Sequence, residues 1–474
     1  MRKNIFFLFL SLIVFSSYAQ SIDEIRSINL PVLIINTVNN EEPTYEISYS
    51  SDSLLYTIKN ATKVPAQMIM VLDNDTLYNS GEYVQKESGL TIKIRGNSSA
   101  LVDKKPYKLK LQKKDDLLMR GNKFIDKDWL LINDEKRKIN TLIGLKINEL
   151  MGMHFKPKGK LVNVFLNGSY RGLYILTESE ERNTDCRVNV SKEGYIFESD
   201  AYWWNEDVSF RTTINSWYCF GTTFKYPDTE DLTDEQIYFL RNKIDTFEET
   251  LLADGDYDQY IDVESWASWL LAHDILGTYD FAGSNIYFAL FDTKASSKIF
   301  MPNLWDYDTI MHMENKENWV RAHDISYYFK LLFDSKKSSF RKAFIQKWNN
   351  SADYVFNGIN QYLDSLSTSE VAGTINEAKK ADAKRWDYIH SDIYDNISEA
   401  RNWFSQRQLW LDDQIRILEE KESLTGVSQP NIQTEKYHLI YNLQGQCVGN
   451  INNFENLKKG IYIVNGKKCL KVCD

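Results

Sequence analysis

Asp280, Asn285, Asp306 and Asp308 are the residues of this chain whose types and spacing could do chemistry together. Asp280-Phe-Ala-Gly-Ser-Asn285 sets an acid and a carboxamide five residues apart, and Trp305-Asp306-Tyr307-Asp308 adds two more acids downstream. Residues 285–291 and 298–306 read as two β runs, with 292–297 as the turn between them. Pairing symmetric about that turn sets Asn285 opposite Leu304, and Asp306 becomes its diagonal neighbour, roughly 7–8 Å away on the same face. Oxygen donors across such a gap can share one divalent cation of the Mg²⁺ type. Alternation then aims Asp306 and Asp308 to one side and turns Trp305 and Tyr307 into packing. Carboxylates held that close repel each other unless a cation lies between them. A solvated acidic turn is the blander reading, and the flanking Leu304 and Ile310 argue for burial instead.

Phosphoryl transfer is the chemistry such a set suits, because it needs metal on the phosphates, a carboxylate for the acceptor proton and a cation on the nucleotide. Asp280 is the choice for the base; taken alone it would be an Asx-turn residue before Gly283, and the downstream hairpin tips the balance. Lys108 and Lys110 share one face of a strand over 107–111, and either could meet phosphate, with Glu178 holding it in position. For each lysine alone, protection of an exposed sheet edge explains it as well. Arg95-Gly96-Asn97-Ser98-Ser99 brings a flexible backbone and hydroxyls beside a guanidinium, suited to cradling phosphate, although it is neither a Walker loop nor a Gly-x-Gly-x-x-Gly loop. Six histidines with no metal-binding spacing argue against a His-based zinc site, and His273 reads as a core residue. Trp203-Trp204 and Trp217-Tyr218 read as packing aromatics rather than a sugar-stacking surface.

The order of blocks resembles the CotH kinase family, the spore-coat-protein-H-like atypical kinases. Ile92-Lys-Ile-Arg95-Gly96-Asn97-Ser98-Ser99 and Lys104-Lys-Pro-Tyr107-Lys108-Leu-Lys110-Leu resemble its opening blocks. Asp128-Trp129-Leu-Leu and Tyr170-Arg-Gly-Leu-Tyr-Ile-Leu-Thr-Glu178 resemble the next two, and the Asp280 and Trp-Asp-Tyr-Asp segments close the set. The similarity covers about residues 29–313, and several blocks in one order say far more than any single motif. The Asp280-to-Asn285 interval is also that of a kinase catalytic loop. The resemblance implies an α+β, kinase-like core that uses ATP with Mg²⁺ or Mn²⁺ to phosphorylate Ser or Thr hydroxyls on exported proteins.

Residues 1–19 read as a secretory signal, with Arg2 and Lys3, an apolar run over 5–15 and Ser17-Tyr-Ala19 as the cleavage site, leaving Gln20 first. Its removal takes two basic and no acidic residues from totals of 56 and 66, so the formal charge becomes −12. That acidic balance argues against nucleic acid or an anionic membrane surface as partner. No later stretch holds about 18 uninterrupted apolar residues, so no membrane insertion is expected after the signal. The expected destination is the periplasm, the cell surface or the medium. Cys186, Cys219, Cys447, Cys469 and Cys473 match neither a small disulfide scaffold nor a zinc pattern. ATP is scarce outside the cytoplasm, which keeps a rival class open: a non-catalytic adhesin or glycan-binding protein on the same scaffold. A glycoside hydrolase using Asp306 and Asp308 is weaker, because two residues on one strand face lie about 6.5 Å apart at Cα and catalytic carboxyls flank a sugar from opposite sides.

Residues 20–421 are expected to form the main domain, β-rich over about 29–180 and helix-rich beyond. Strand runs fall at 30–37, 45–49, 67–72, 89–95 and 107–111. A helix is expected over 133–152 and a hairpin over 161–177 around Asn167-Gly168. Thr233 and Gln236 form a capping box for a helix over 232–252, another helix over 262–277 delivers the chain to Asp280, and a long one covers 397–421. Residues 422–434 have linker composition. The remainder, 435–474, forms a small β unit that resembles a type IX secretion sorting domain, with Gly460 and Asn465-Gly466 bracketing a strand. It departs from that pattern by ending in Cys469-Leu-Lys-Val-Cys473-Asp474.

Overall fold

The computed structural model describes residues 20–50, 56–134, 137–217, 220–281, 285–322 and 327–425, with 439–442, 447–450, 457, 460–464 and 467–471 near the end of the chain. The expected signal segment 1–19, most of the expected linker (426–434), Tyr218, Cys219 and Cys473 lie outside the described residues.

Alternating apolar residues in the first part of the chain build a barrel. Strand Leu90–Ile94 buries every second residue, and Tyr107–Asp115 repeats the pattern over its first half. Their neighbours are Val64–Leu72 on one side and Asp126–Ile132, Ser169–Glu178 and Gly159–Leu166 on the other. Strand Val32–Thr37 closes the ring: it runs parallel to Gly159–Leu166, pairing Val32 with Asn163, and antiparallel to Val64–Leu72, pairing Ile34 with Ile69. Leu33, Met68, Ile92, Leu109, Trp129 and Val164 fill the interior. The five expected strand runs are present, whereas the closure rests on long-range pairing that alternation alone does not encode. Asn167 and Gly168 both take positive φ (51° and 72°), the twist a two-residue hairpin requires, and set Leu166 opposite Ser169.

A second, antiparallel sheet follows, in the order Ser209–Phe210, Gly221–Tyr226, Tyr195–Asp200, Ile286–Leu290, Ile299–Phe300. Helix Val263–Leu276 is buried along nearly its whole surface, with Trp266, Trp269 and Leu270 in the core. Its start is capped by Asp262, whose carboxylate accepts the Ser265 N–H at 3.2 Å. Gly277 ends it with a left-handed φ of 58°, where a Cβ would come within 2.2 Å of the Trp403 ring. Helix Asp234–Leu252 carries both halves of the expected capping box, Thr233 with Gln236. The expected helix over 133–152 begins later, at Asn140–Leu150, because the Asp134 carboxylate caps the Thr141 N–H at 2.9 Å and Lys138 turns at φ 64°.

Helices Tyr327–Asp334, Ser339–Leu366, Ser369–Trp386 and Ile393–Thr425 complete the main unit. The last of them runs through residues 422–425, so the expected linker is helical at its start. Glu420–Asp474 forms a second compact unit, in which Cys447–Asn450, Leu439–Tyr441, Gly460–Val464 and Lys467–Lys471 make one antiparallel sheet in that order. No helix among the described residues is long and apolar enough to cross a membrane.

Candidate active site

The barrel strands and the second sheet together line a cavity of about 770 Å³. Asp280, Asn285, Asp306 and Asp308 face it from the second-sheet side; Arg95, Asn97, Ser98 and Lys108 face it from the barrel. Lys110 and Glu178 do not line it.

The acids arrive by a shorter ribbon than alternation suggests. Ile286–Leu290 pairs with Ile299–Phe300 in the expected register, Ala289 opposite Phe300 and Leu290 opposite Ile299, but the ladder stops there and does not extend to Asp306. Pro302 has no N–H to give, and its carbonyl accepts from Phe155 at 2.8 Å. The Asn303 carbonyl takes the Trp269 indole N–H at 3.1 Å, and the Leu304 N–H goes to the Asn148 side chain at 2.8 Å. Backbone groups that a ribbon would use are thus spent on helices and loops.

Asp306 then turns at φ 60°, so Asp306 and Asp308 converge by a tight turn and not by sharing a strand face, correcting the expected geometry. Tyr307, between them, is buried against Gly144, where a Cβ would come within 2.0 Å of its ring. Helix Asn140–Leu150 thereby seats the turn, and the Asn140 side chain donates to the Asp308 carbonyl at 3.1 Å. The Asp280 segment is stitched to the same turn. Thr309 Oγ1 accepts the Asp280 N–H at 3.1 Å, and Met311 N–H reaches the Leu276 carbonyl at 2.7 Å. Asn285 Nδ2 donates to the Asp280 carbonyl at 2.8 Å, closing the loop whose residues Ala282, Gly283 and Ser284 lie outside the described ones and leaving the Asn285 carboxamide oxygen for a ligand.

Sharing one space, the carboxylates act on one another. Burial, then Asp308, then Asp280 push the Asp306 carboxyl well above the usual range, with Arg95 opposing. Asp280 is accessible from the cavity, yet its walls strip enough water, with Asp308 adding repulsion, to raise its carboxyl too. Such crowding suits a hard divalent cation. Among the described residues no three His, Cys, Asp or Glu side chains form a cage unaided. Asn285, Asp306 and Asp308 are the residues that would hold such a cation.

The cation side differs from expectation in its partner. Lys108 Nζ lies 2.7 Å from Glu181 and 3.0 Å from Asp128; these acids raise its pKa although burial works against them. Glu178 instead grips Arg120 through two bonds of 2.8 and 2.9 Å and accepts the Lys158 N–H. Glu178 ends strand Ser169–Glu178, and the chain must run three residues further before an acid reaches Lys108. Lys110 stands half exposed, 4.0 Å from Asp128. The Arg95 guanidinium lies over the Trp305 ring at 5.5 Å, and Asn97 Oδ1 accepts the Thr57 hydroxyl at 2.7 Å. Ser98 begins the short turn Ser98–Ala100 at the cavity edge.

Two cavity features escaped sequence reasoning. Lys225 Nζ pairs with Glu198 at 2.9 Å; burial raises the Glu198 carboxyl to about 7, against the pull of Lys225. Glu198 and Asp200 interrupt an apolar run, Tyr195-Ile-Phe-Glu198-Ser-Asp200, and acids inside a run that reads as a buried strand were the available signal. Lys93, in the block with Arg95, also lines the cavity. His273 is fully buried against Trp269, with rings 4.1 Å apart and burial pushing its pKa down to about 3, a core residue as expected.

A model of the family described as CotH kinase protein matches residues 92–411. No curated protein matches the sequence. Among solved structures, the proinflammatory kinase CtkA of Helicobacter pylori superposes with 8% identity over 60% of this chain and 92% of that one, at a TM-score of 0.24. The Shewanella oneidensis MR-1 toxin–antitoxin complex of HipA, HipB and operator DNA superposes with 13% identity over 58% and 60%, at a TM-score of 0.26. Scores this low add no weight. The family match covers more than half of the chain and includes every kinase-like block from Ile92 to Asp308, but not the C-terminal blocks over 435–474, and the protein therefore belongs to the CotH kinase protein family.

Proposed function

We propose that this protein is an exported phosphotransferase that moves the γ-phosphoryl group of ATP onto Ser or Thr hydroxyls of exported proteins. One observation carries the reading: Asp280, Asp306 and Asp308 meet in a single cavity whose opposite wall presents Arg95 and Lys108. Asp280, raised by its surroundings, takes the proton of the acceptor hydroxyl as that oxygen attacks phosphorus. Arg95 and Lys108 bind the phosphate oxygens, with Glu181 and Asp128 fixing the Lys108 ammonium in place. Asn285, Asp306 and Asp308 would hold Mg²⁺ or Mn²⁺, which when bound neutralises charge on the phosphates. The turn at Asp306 and the Asn285 bond to Asp280 orient these groups before substrate arrives.

Labelled ATP and Mn²⁺ incubated with the mature chain and a mixture of exported proteins tests the proposal. Label should appear in acid-stable phosphoserine or phosphothreonine and should drop at least a hundredfold for Asp280→Asn and Asp306→Ala, in line with the loss of a catalytic base. Undiminished transfer by either variant contradicts it. Export by residues 1–19, with the C-terminal unit as a type IX sorting address, belongs to the same proposal. The amino terminus of protein recovered outside the cytoplasm should be Gln20; a chain still beginning at Met1 would contradict export through that segment.

A further inference from the structure

Lys93 and Arg95 leave strand Leu90–Ile94 on the same side, two residues apart, while Ile92 and Ile94 point into the barrel. Both side chains line the cavity. Lys108, directly across the ladder from Lys93, is already matched by Glu181 and Asp128. Lys93 is not: among the described residues its ammonium lies within 4 Å of no carboxylate and makes no hydrogen bond. A half-buried cation held beside a second lysine and facing a concave space has one inexpensive source of stabilisation, an anion bound in that space. Arg95, whose guanidinium lies 5.5 Å from the centre of the Trp305 ring, is a second cation facing the same space.

We propose that Lys93 is a phosphate-binding residue of the nucleotide site, acting with Arg95 from the same strand face. This rests on the nucleotide-dependent reading above and adds to it a residue and a linkage. The charge on Lys93 depends on what occupies the cavity. In the free protein, burial first and then Lys108 and Lys63 lower its pKa to about 8, with Glu206 and Asp128 pulling the other way. Phosphate oxygens beside the ammonium restore the charged form, so nucleotide binding near pH 8 and above takes up a proton from solution. A lysine that merely packs the cavity wall would produce no such uptake.

Calorimetric titration of the full mature chain with ATP and Mg²⁺, at pH 7 and pH 9 and in two buffers of different ionisation enthalpy, reads the linkage. The wild type should bind more weakly at pH 9 than at pH 7 and take up a proton on binding at pH 8 to 9. Lys93→Arg, charged throughout this range, should lose both effects while still binding. Lys93→Met should bind on the order of tenfold more weakly at pH 7, the loss of one charge-assisted hydrogen bond. Lys110→Met, outside the cavity, should bind as the wild type does. Unchanged proton uptake in Lys93→Arg, or wild-type affinity in Lys93→Met, overturns the assignment and leaves the nucleotide site standing. A wild type that binds no nucleotide with metal overturns both. Lys93→Arg alone decides the question where Lys93→Met fails to fold.

Discussion

Glu178 and Glu181 stand three residues apart and do different work. Glu178 is buried with Arg120, whose guanidinium it grips through two bonds, while Glu181 pairs with Lys108. Glu178→Ala strands a partly buried guanidinium, with only Asp116 left to it. It should cost on the order of 3 kcal/mol of stability and leave nucleotide affinity in place. Glu181→Ala should do the reverse, since Asp128, then the sole acid beside Lys108, still neutralises it but does not by itself hold it toward the phosphates. Melting temperatures and nucleotide titrations of the two variants separate the roles, and equal loss of affinity in both would contradict the assignment. Residue types and spacing were enough to bring forward Asp280, Asn285, Asp306, Asp308 and Arg95, because each lies in a compact motif, but they left Lys108 and Lys110 unseparated, and only the fold puts Lys108 rather than Lys110 on the cavity wall. The pairing of Lys108 with Glu181 rather than Glu178 was not readable, since it depends on where a strand ends and how the following chain bends.

At the scale of elements, the hairpin register was legible and its length was not. Ala289 and Leu290 meet Phe300 and Ile299 in the register that the turn dictates, yet Pro302 and Asn303 leave the ladder for partners distant in sequence, so Asn285 and Leu304 never pair. Glu180 is one of those partners: it accepts the Asn303 side-chain amide at 3.0 Å. Burial raises its carboxyl from 4.5 to about 8. The folded state therefore keeps a proton that the unfolded chain gives up, and stability present below pH 4.5 is lost progressively as pH rises toward 8. Glu198, raised to about 7, contributes to the lower part of that decline. Glu180→Gln preserves an acceptor for Asn303 and removes the titration. Its melting temperature should fall less than that of the wild type between pH 7 and 8; a parallel fall in the variant would contradict the assignment. The helix capped by Thr233 and Gln236 was legible because capping is local chemistry.

At the scale of the molecule, α+β composition was legible and the closed barrel was not. Parallel pairing of Val32–Thr37 with Gly159–Leu166 joins residues more than a hundred positions apart, and no periodicity in either strand names its partner. The barrel is tied to the helical part by a buried ion cluster. Asp382, in helix Ser369–Trp386, meets Lys104 at 2.6 Å and Lys138 at 3.1 Å and accepts the Leu173 N–H at 2.8 Å. Lys104 stands in a block that the family resemblance marks, and the structure gives it this tie rather than a place on the cavity. The cavity takes Lys93, Arg95 and Lys108 from the barrel wall and Asp280, Asp306 and Asp308 from the facing side, where the paired Lys225 and Glu198 also stand.

Metal-dependent nucleotide binding tests that division most directly. Equilibrium titration of the mature chain with labelled ATP, with and without Mn²⁺, should show tight binding only with the metal. Asp306→Asn should abolish the metal's contribution, and Asp280→Asn should bind ATP and Mn²⁺ like the wild type while transferring no phosphate. ATP binding that ignores both Mn²⁺ and Asp306→Asn, or no binding at all, would contradict the account.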